Sequence, residues 1–138
     1  MKVLVAVDGS EAADRAAKRF AESCEGSHDV RVLVVVSHSE SPYITEDDSD
    51  RASRTQQLAE KVLKASAGTA ETLRAAGHSV KITRRFGHPP DEIVGEMLDF
   101  EPDLVVMGRR GVKGVARWLG SVSEHVLHHA DVPVLLVP

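Results

Sequence analysis

The segment of this chain best suited to chemistry is a run of glycines and basic residues near its C-terminal third. It reads Gly108-Arg109-Arg110-Gly111-Val112-Lys113-Gly114-Val115-Ala116-Arg117-Trp118-Leu119-Gly120-Ser121-Val122-Ser123-Glu124. Glycine at 108, 111 and 120 frees the backbone to take positive φ and lets amide N–H groups approach an anion with no Cβ in the way. Ser121 and Glu124 are spaced as a capping box, so a helix is predicted to open at Ser121. The N–H groups of Val122, Ser123 and Glu124, at the positive end of that helix, would add a second set of donors. Arg109, Arg110, Lys113 and Arg117 have no acid among them; they read either as a phosphate clamp or as a solvated basic loop. The combination describes a phosphate cradle. It is not a Walker A loop, because no Gly-Lys-Ser/Thr closes it, and it lacks the GxGxxG of dinucleotide folds.

A second candidate is Asp8-Gly9-Ser10, directly after a short apolar run. Asp8 reads either as an Asx-turn residue at a strand end or as an acceptor for a ligand. His125 and His129, with His128 between them, share a helix face at i and i+4, but without an HExxH order or a third ligand they read as surface histidines. Ser121 and Ser123 could accept a phosphoryl group only with a base that the sequence does not place beside them. Asp8 is the one acid assignable to the site, so binding with at most slow hydrolysis is the expectation.

Elements that could position these residues follow from the apolar periodicity. Residues 2–7 read as a buried strand, and Ser10 as the N-cap of a helix with Ala13, Ala16, Ala17, Phe20, Ala21 and Cys24 inward and Gly26 as its stop. Residues 30–36 are almost continuously β-branched or aliphatic, the pattern of a strand covered on both faces. Residues 37–54 lose the pattern and read as a surface loop, placed to fold over a ligand. A second helix is predicted over 55–76, with Ala59, Val62, Leu63, Ser66, Ala70 and Leu73 inward and Gly77 after it. Residues 80–86 alternate as a more exposed strand. Gly87-His88-Pro89-Pro90 then precedes a helix using Ile93, Val94, Met97 and Leu98. Residues 104–107 form a fourth strand before the glycine run, and 132–137 a fifth.

Alternating strands and helices imply right-handed βαβ units in an α/β, doubly wound, five-stranded parallel sheet with helices on both faces. At 138 residues the chain reads as one domain, 1–138. The single cysteine, Cys24, excludes an internal disulfide and reads as a small core residue on a helix face. A net charge of −4 argues against general nucleic-acid binding. No stretch is apolar enough for a membrane span, and Met1-Lys2 leads straight into a strand, so a cytoplasmic location is expected.

In chain order, Val7-Asp8-Gly9-Ser10, Gly87-His88-Pro89, Met107-Gly108-Arg109-Arg110-Gly111, Gly120-Ser121-Val122-Ser123-Glu124 and Val132-Pro133-Val134-Leu135-Leu136-Val137 together resemble the universal stress protein family over the full length. The resemblance implies an adenine nucleotide alpha hydrolase-like fold and a nucleotide-binding stress-response regulator or sensor. ATP would be the ligand, with AMP or ADP as alternatives and Mg²⁺ accompanying it. The ATP-binding branch carries Gly-x2-Gly-x9-Gly-Ser/Thr. By that likeness Gly108, Gly111, Gly120, Ser121 and Val122 would hold phosphates, with Met107 near the ribose and Arg109 and Ser123 also in the nucleotide site. Ala6, Val7, Asp8, Ser10 and Val35 would line the base and ribose end. Here eight residues, not nine, separate Gly111 from Gly120. The missing residue can shift donors by one Cα step, about 3.8 Å, which bears on triphosphate affinity rather than on the fold. A branch of the family that binds no nucleotide, serving as a dimeric interaction module, is the alternative; a slow ATPase or self-phosphorylating protein is another. The resemblance also implies a homodimer through residues 132–137, and Pro133 independently argues for an edge strand.

Overall fold

A computed structural model describes residues 1–36, 48–109 and 120–138. The strands are β1 (Lys2–Val7), β2 (Asp29–Val36), β3 (Ser79–Phe86), β4 (Leu104–Gly108) and β5 (Val134–Val137); the helices are α1 (Glu11–Ser23), α2 (Asp48–Ala75), α3 (Pro89–Phe100) and α4 (Ser121–His129). The strands form one parallel sheet in the order β3-β2-β1-β4-β5. β1 is central, and the chain reverses its direction of travel across the sheet between β1 and β4. In doubly wound sheets the crevice at that reversal, beyond the strands' carboxyl ends, is where ligands collect.

Alternation along each strand divides the core. Val3, Val5 and Val7 of β1 join Ala16, Phe20, Ala70 and Leu73 of α1 and α2 on one face. Leu4 and Ala6 join Ile93, Phe100 and Val126 of α3 and α4 on the other. A strand flanked by two such layers has no polar face, which is why β1 and β2 are apolar at nearly every position. Phe20, fully buried, alone contributes about 2–3 kcal/mol of apolar burial. On α2 the predicted inward residues Val62, Ser66, Ala70 and Leu73 are buried. Among the described residues no helix is long and apolar enough to cross a membrane.

Three expectations are corrected. α2 begins at Asp48, not near residue 55; the turns it gains have no apolar stripe for periodicity to register. The remainder of the anticipated surface loop, 37–47, lies outside the described residues. Leu98 of α3 points outward at 75% exposure; the inward stripe is Pro90, Ile93, Glu96 and Phe100, as 3.6-residue spacing from Ile93 requires. Cys24 is the C-cap of α1, one residue past the helix, where its half-buried side chain packs on the core.

Glu96 was not anticipated as a buried group. Its carboxylate accepts from Arg31 at 2.7 Å and from Arg85 at 3.0 Å, while Arg85 also reaches Glu92 at 2.7 Å and Asp99 at 3.0 Å. Arg31 additionally lies over the Phe100 ring, 4.0 Å from its centroid. Hydrogen bonds donated by Arg85 to Glu92, Glu96 and Asp99 raise its pKa further above its already high value. Charge, as well as apolar packing, thus fastens α3 to β2 and β3.

Candidate functional site

The ends of β1 and β4 lie side by side at the crevice. The first loop follows β1. Asp8 is exposed, and its Oδ1 accepts the Ser10 N–H at 2.9 Å, an Asx turn made possible by Gly9 at φ 80°. The buried Ser10 then caps α1, its Oγ accepting the Ala13 N–H at 3.2 Å. Both polar side chains therefore shape the loop, and the second Asp8 oxygen is left for other partners.

The second loop follows β4. A Cβ on Gly108 would stand 2.8 Å from the Ala12 carbonyl carbon and 2.9 Å from the Ala13 nitrogen, so the first turn of α1 rests directly on the backbone of the strand end. The expectation of positive φ fails at two of the three loop glycines. Gly108 is not among the positive-φ residues, and Gly120 has φ −65° and ψ 153°, extended geometry open to any residue. Close approach is the reason for glycine at 108. Gly111, with Arg110, Lys113 and Arg117, lies outside the described residues.

The base of this loop is fixed at both ends. Arg109 N–H donates to Val137 O at 2.8 Å, extending the β4–β5 ladder, and Gly120 N–H donates to Arg109 O at 3.0 Å. Ser123, 2% exposed, shares its hydroxyl proton between Gly108 O at 3.0 Å and Arg109 O at 2.9 Å. Sequence reasoning missed this role for Ser123; its signal was a hydroxyl one turn into a helix that starts right after the loop.

The start of α4 also differs from expectation. Gly120, not Ser121, is the N-cap, and no side chain caps the helix. Ser121 is exposed at the first helical position and Val122 half-buried behind it. Glu124 N–H already donates to Gly120 O at 3.0 Å, so it is not a free donor; by helix geometry the available N–H groups are those of Ser121, Val122 and Ser123. Arg109 Nε is buried with no partner among the described residues. A buried donor left unpaired costs about 1–3 kcal/mol, and an anion at the loop would remove that cost.

The sheet brings Ala6, Val35 and Met107 to one side, all within the α3 and α4 layer near the strands' carboxyl ends, whereas the Val7 side chain belongs to the opposite layer. Of the histidines, His125 stacks on His129 with centroids 4.3 Å apart and lies 3.5 Å from Asp91, which also meets His88 at 3.0 Å. They tie α4 to the start of α3. Among the described residues there is no group of three metal-ligating side chains arranged to hold an ion.

The chain is a doubly wound α/β domain in which the end of β4 is tied to the N-terminus of α4. The family model described as the universal stress protein family matches residues 1–138, and the chain belongs to that family. A universal stress protein of Thermus aquaticus, from the QAH/OAS sulfhydrylase 3' region, is 35% identical over 139 residues, covering 98% of this chain and 96% of its own. The solved structure of hypothetical protein MJ0577 has a TM-score of 0.81 at 28% identity, covering 99% of this chain and 94% of that one. A universal stress protein family member from Arabidopsis thaliana, solved with AMP bound, has a TM-score of 0.71 at 23% identity, over 99% and 90% of the two chains.

Proposed function

We propose that this protein binds an adenine nucleotide, ATP being the expected form, in the β1–β4 crevice and acts without turnover as a dimeric cytoplasmic regulator. The observation that carries the reading is the pinned loop base: Ser123 holds the carbonyls of Gly108 and Arg109 against the N-terminus of α4, Gly120 N–H donates to Arg109 O, and Arg109 Nε is a buried donor without an acceptor among the described residues. A helix start presenting three N–H groups attracts phosphate. Gly108, Arg109, Gly111, Gly120, Ser121, Val122 and Ser123 would hold the phosphates, Met107 the ribose, and Ala6, Val7, Asp8, Ser10 and Val35 the nucleoside end. The AMP bound to the Arabidopsis relative supports the ligand class. Mg²⁺ would offset the phosphate charge, and the exposed Asp8 carboxylate is the group that would hold it.

Ser10, whose hydroxyl accepts from Ala13 N–H, would still donate its O–H, whereas Ser123, whose proton serves the loop base, would contribute through its backbone N–H. Mass spectrometry of protein released from denaturant tests the reading: adenine nucleotide carried through purification is expected, and apo protein that refuses added nucleotide would refute it. The eight-residue spacing from Gly111 to Gly120 favours, as the second reading, a member whose loop has lost its ligand. A thermal shift indifferent to every nucleotide, with the dimer intact, would select it. For the dimer, β5 is an edge strand paired only with β4, and edge strands with apolar side chains accept a second chain. Light scattering should give twice the 14.9 kDa protomer mass; a monomer at micromolar concentration would remove the dimer.

A further inference from the structure

At the opposite end of the sheet from the glycine loop, two histidines stack where β2 and β3 begin. His78 occupies the turn between α2 and β3 and is 5% exposed. Its Nδ1 accepts the backbone N–H of His28 at 3.3 Å, so the neutral ring carries its proton on Nε2. That Nε2 is buried with no partner among the described residues. The ring stacks on His28 with centroids 5.3 Å apart and tilts against Phe20 at 5.2 Å.

The start of the sheet converges on this pair. Ser79 N–H donates to His28 O at 3.0 Å, and Asp29 N–H to Met1 O at 3.0 Å. His28 Nε2 meets Glu25 O at 3.0 Å and its Nδ1 the Met1 amino group at 3.3 Å. The ionisable groups around the pair are that amino group from β1, Cys24 and Glu25 after α1, Asp29 beside His28, and Arg74 of α2, whose guanidinium is taken by Val80 O. No carboxylate forms an ion pair with His78 among the described residues.

A second proton on His78 would turn Nδ1 from acceptor into donor, directed at another donor, and would place charge between an aromatic ring and a second imidazole. Burial first, and repulsion from His28 second, hold the His78 pKa below the ordinary histidine value. The unfolded chain therefore binds this proton more readily. The associated stability is complete above the unfolded pKa, about 6.5, and is lost as pH falls below it.

We propose that the His28–His78 stack is an acid-sensitive latch that joins the starts of β2 and β3 when both rings are neutral and loosens that end of the sheet on protonation. The nucleotide end lies across the sheet, so acidification weakens the fold away from the loops that meet the ligand. His78→Asn keeps an acceptor for the His28 N–H and removes the titration. Urea unfolding of wild type, His78→Asn and the exposed control His128→Asn at about pH 7.5 and about pH 5.5 tests the latch. Between the two, the wild-type folding constant should fall further than that of His78→Asn, by up to about tenfold, the ceiling set by an unfolded pKa near 6.5, while His128→Asn follows wild type. Equal pH dependence in wild type and His78→Asn overturns the proposal. Should His78→Asn not fold, the ring resonances of wild type decide: His78 is expected to titrate below the ordinary histidine value, and titration at or above that value overturns the latch.

Discussion

The hydroxyl of Ser123 in α4 lies 3.0 Å from the carbonyl oxygen of Gly108 at the end of β4. That bond, shared with Arg109 O, ties the helix that would receive the phosphates to the strand that would carry the loop. Ser123→Ala leaves two carbonyls short of a donor in a buried place. Loss of about 1–2 kcal/mol is expected, read as a lower urea midpoint with unchanged m, together with weaker nucleotide binding. Unaltered stability and affinity would show that the tie has no part in shaping the site.

Gly108 is a packing requirement. With Ala12 and Ala13 backbone atoms inside 3.0 Å of any Cβ, Gly108→Ala must push α1 away from β4. Overpacking of this kind costs about 1–3 kcal/mol. Gly120→Ala, at extended φ and ψ, should cost less than Gly108→Ala in the same unfolding experiment; the reverse order would mean that loop flexibility, not helix–strand approach, dictates glycine here.

Glu96 is the buried centre of the Arg31 and Arg85 contacts. Removing it in Glu96→Ala takes the carboxylate from Arg31 and leaves Arg85 only its contacts to Glu92 and Asp99. A loss of about 3 kcal/mol is expected, the low end for a broken buried ion pair because both arginines retain some water. Glu96→Gln should fall between wild type and alanine, since it keeps acceptor oxygen without charge. Equal stability for all three would assign the attachment of α3 to apolar contacts alone.

The inner strands β1, β2 and β4 were legible because each lies between two apolar layers, so runs such as residues 30–36 admit few other readings. Ser10 was legible as a cap because its position before an apolar helical stripe is distinctive, and the structure places its Oγ on Ala13 N–H. What stayed hidden depends on atoms that meet only after folding. The extra turns of α2 from Asp48 carry no stripe. Leu98 is apolar yet faces outward, whereas Glu96 is charged yet faces inward because Arg31 and Arg85 await it there. Ser121 and Glu124 match a capping box in spacing, but the chain enters α4 one residue earlier, at Gly120. The glycine loop was legible as a motif and its pinning through Ser123 was not, since a serine's acceptor across fifteen residues leaves no periodic trace.

Asp8 would lie at the nucleoside end of the proposed site. Its Oδ1 holds the Ser10 N–H, so Asp8→Ala should cost about 1 kcal/mol through the lost turn, while the affinity for nucleotide drops by a larger factor than that for inorganic phosphate. An equal drop for both ligands would move Asp8 from the nucleoside end to the phosphate end.

Calorimetric titration of the folded protein with ATP and Mg²⁺ tests the central claim most directly. Saturable binding of one nucleotide per protomer is predicted, weakened by Ser123→Ala and by Asp8→Ala. Absence of any heat or thermal shift at millimolar ATP, in protein that remains folded, would contradict it.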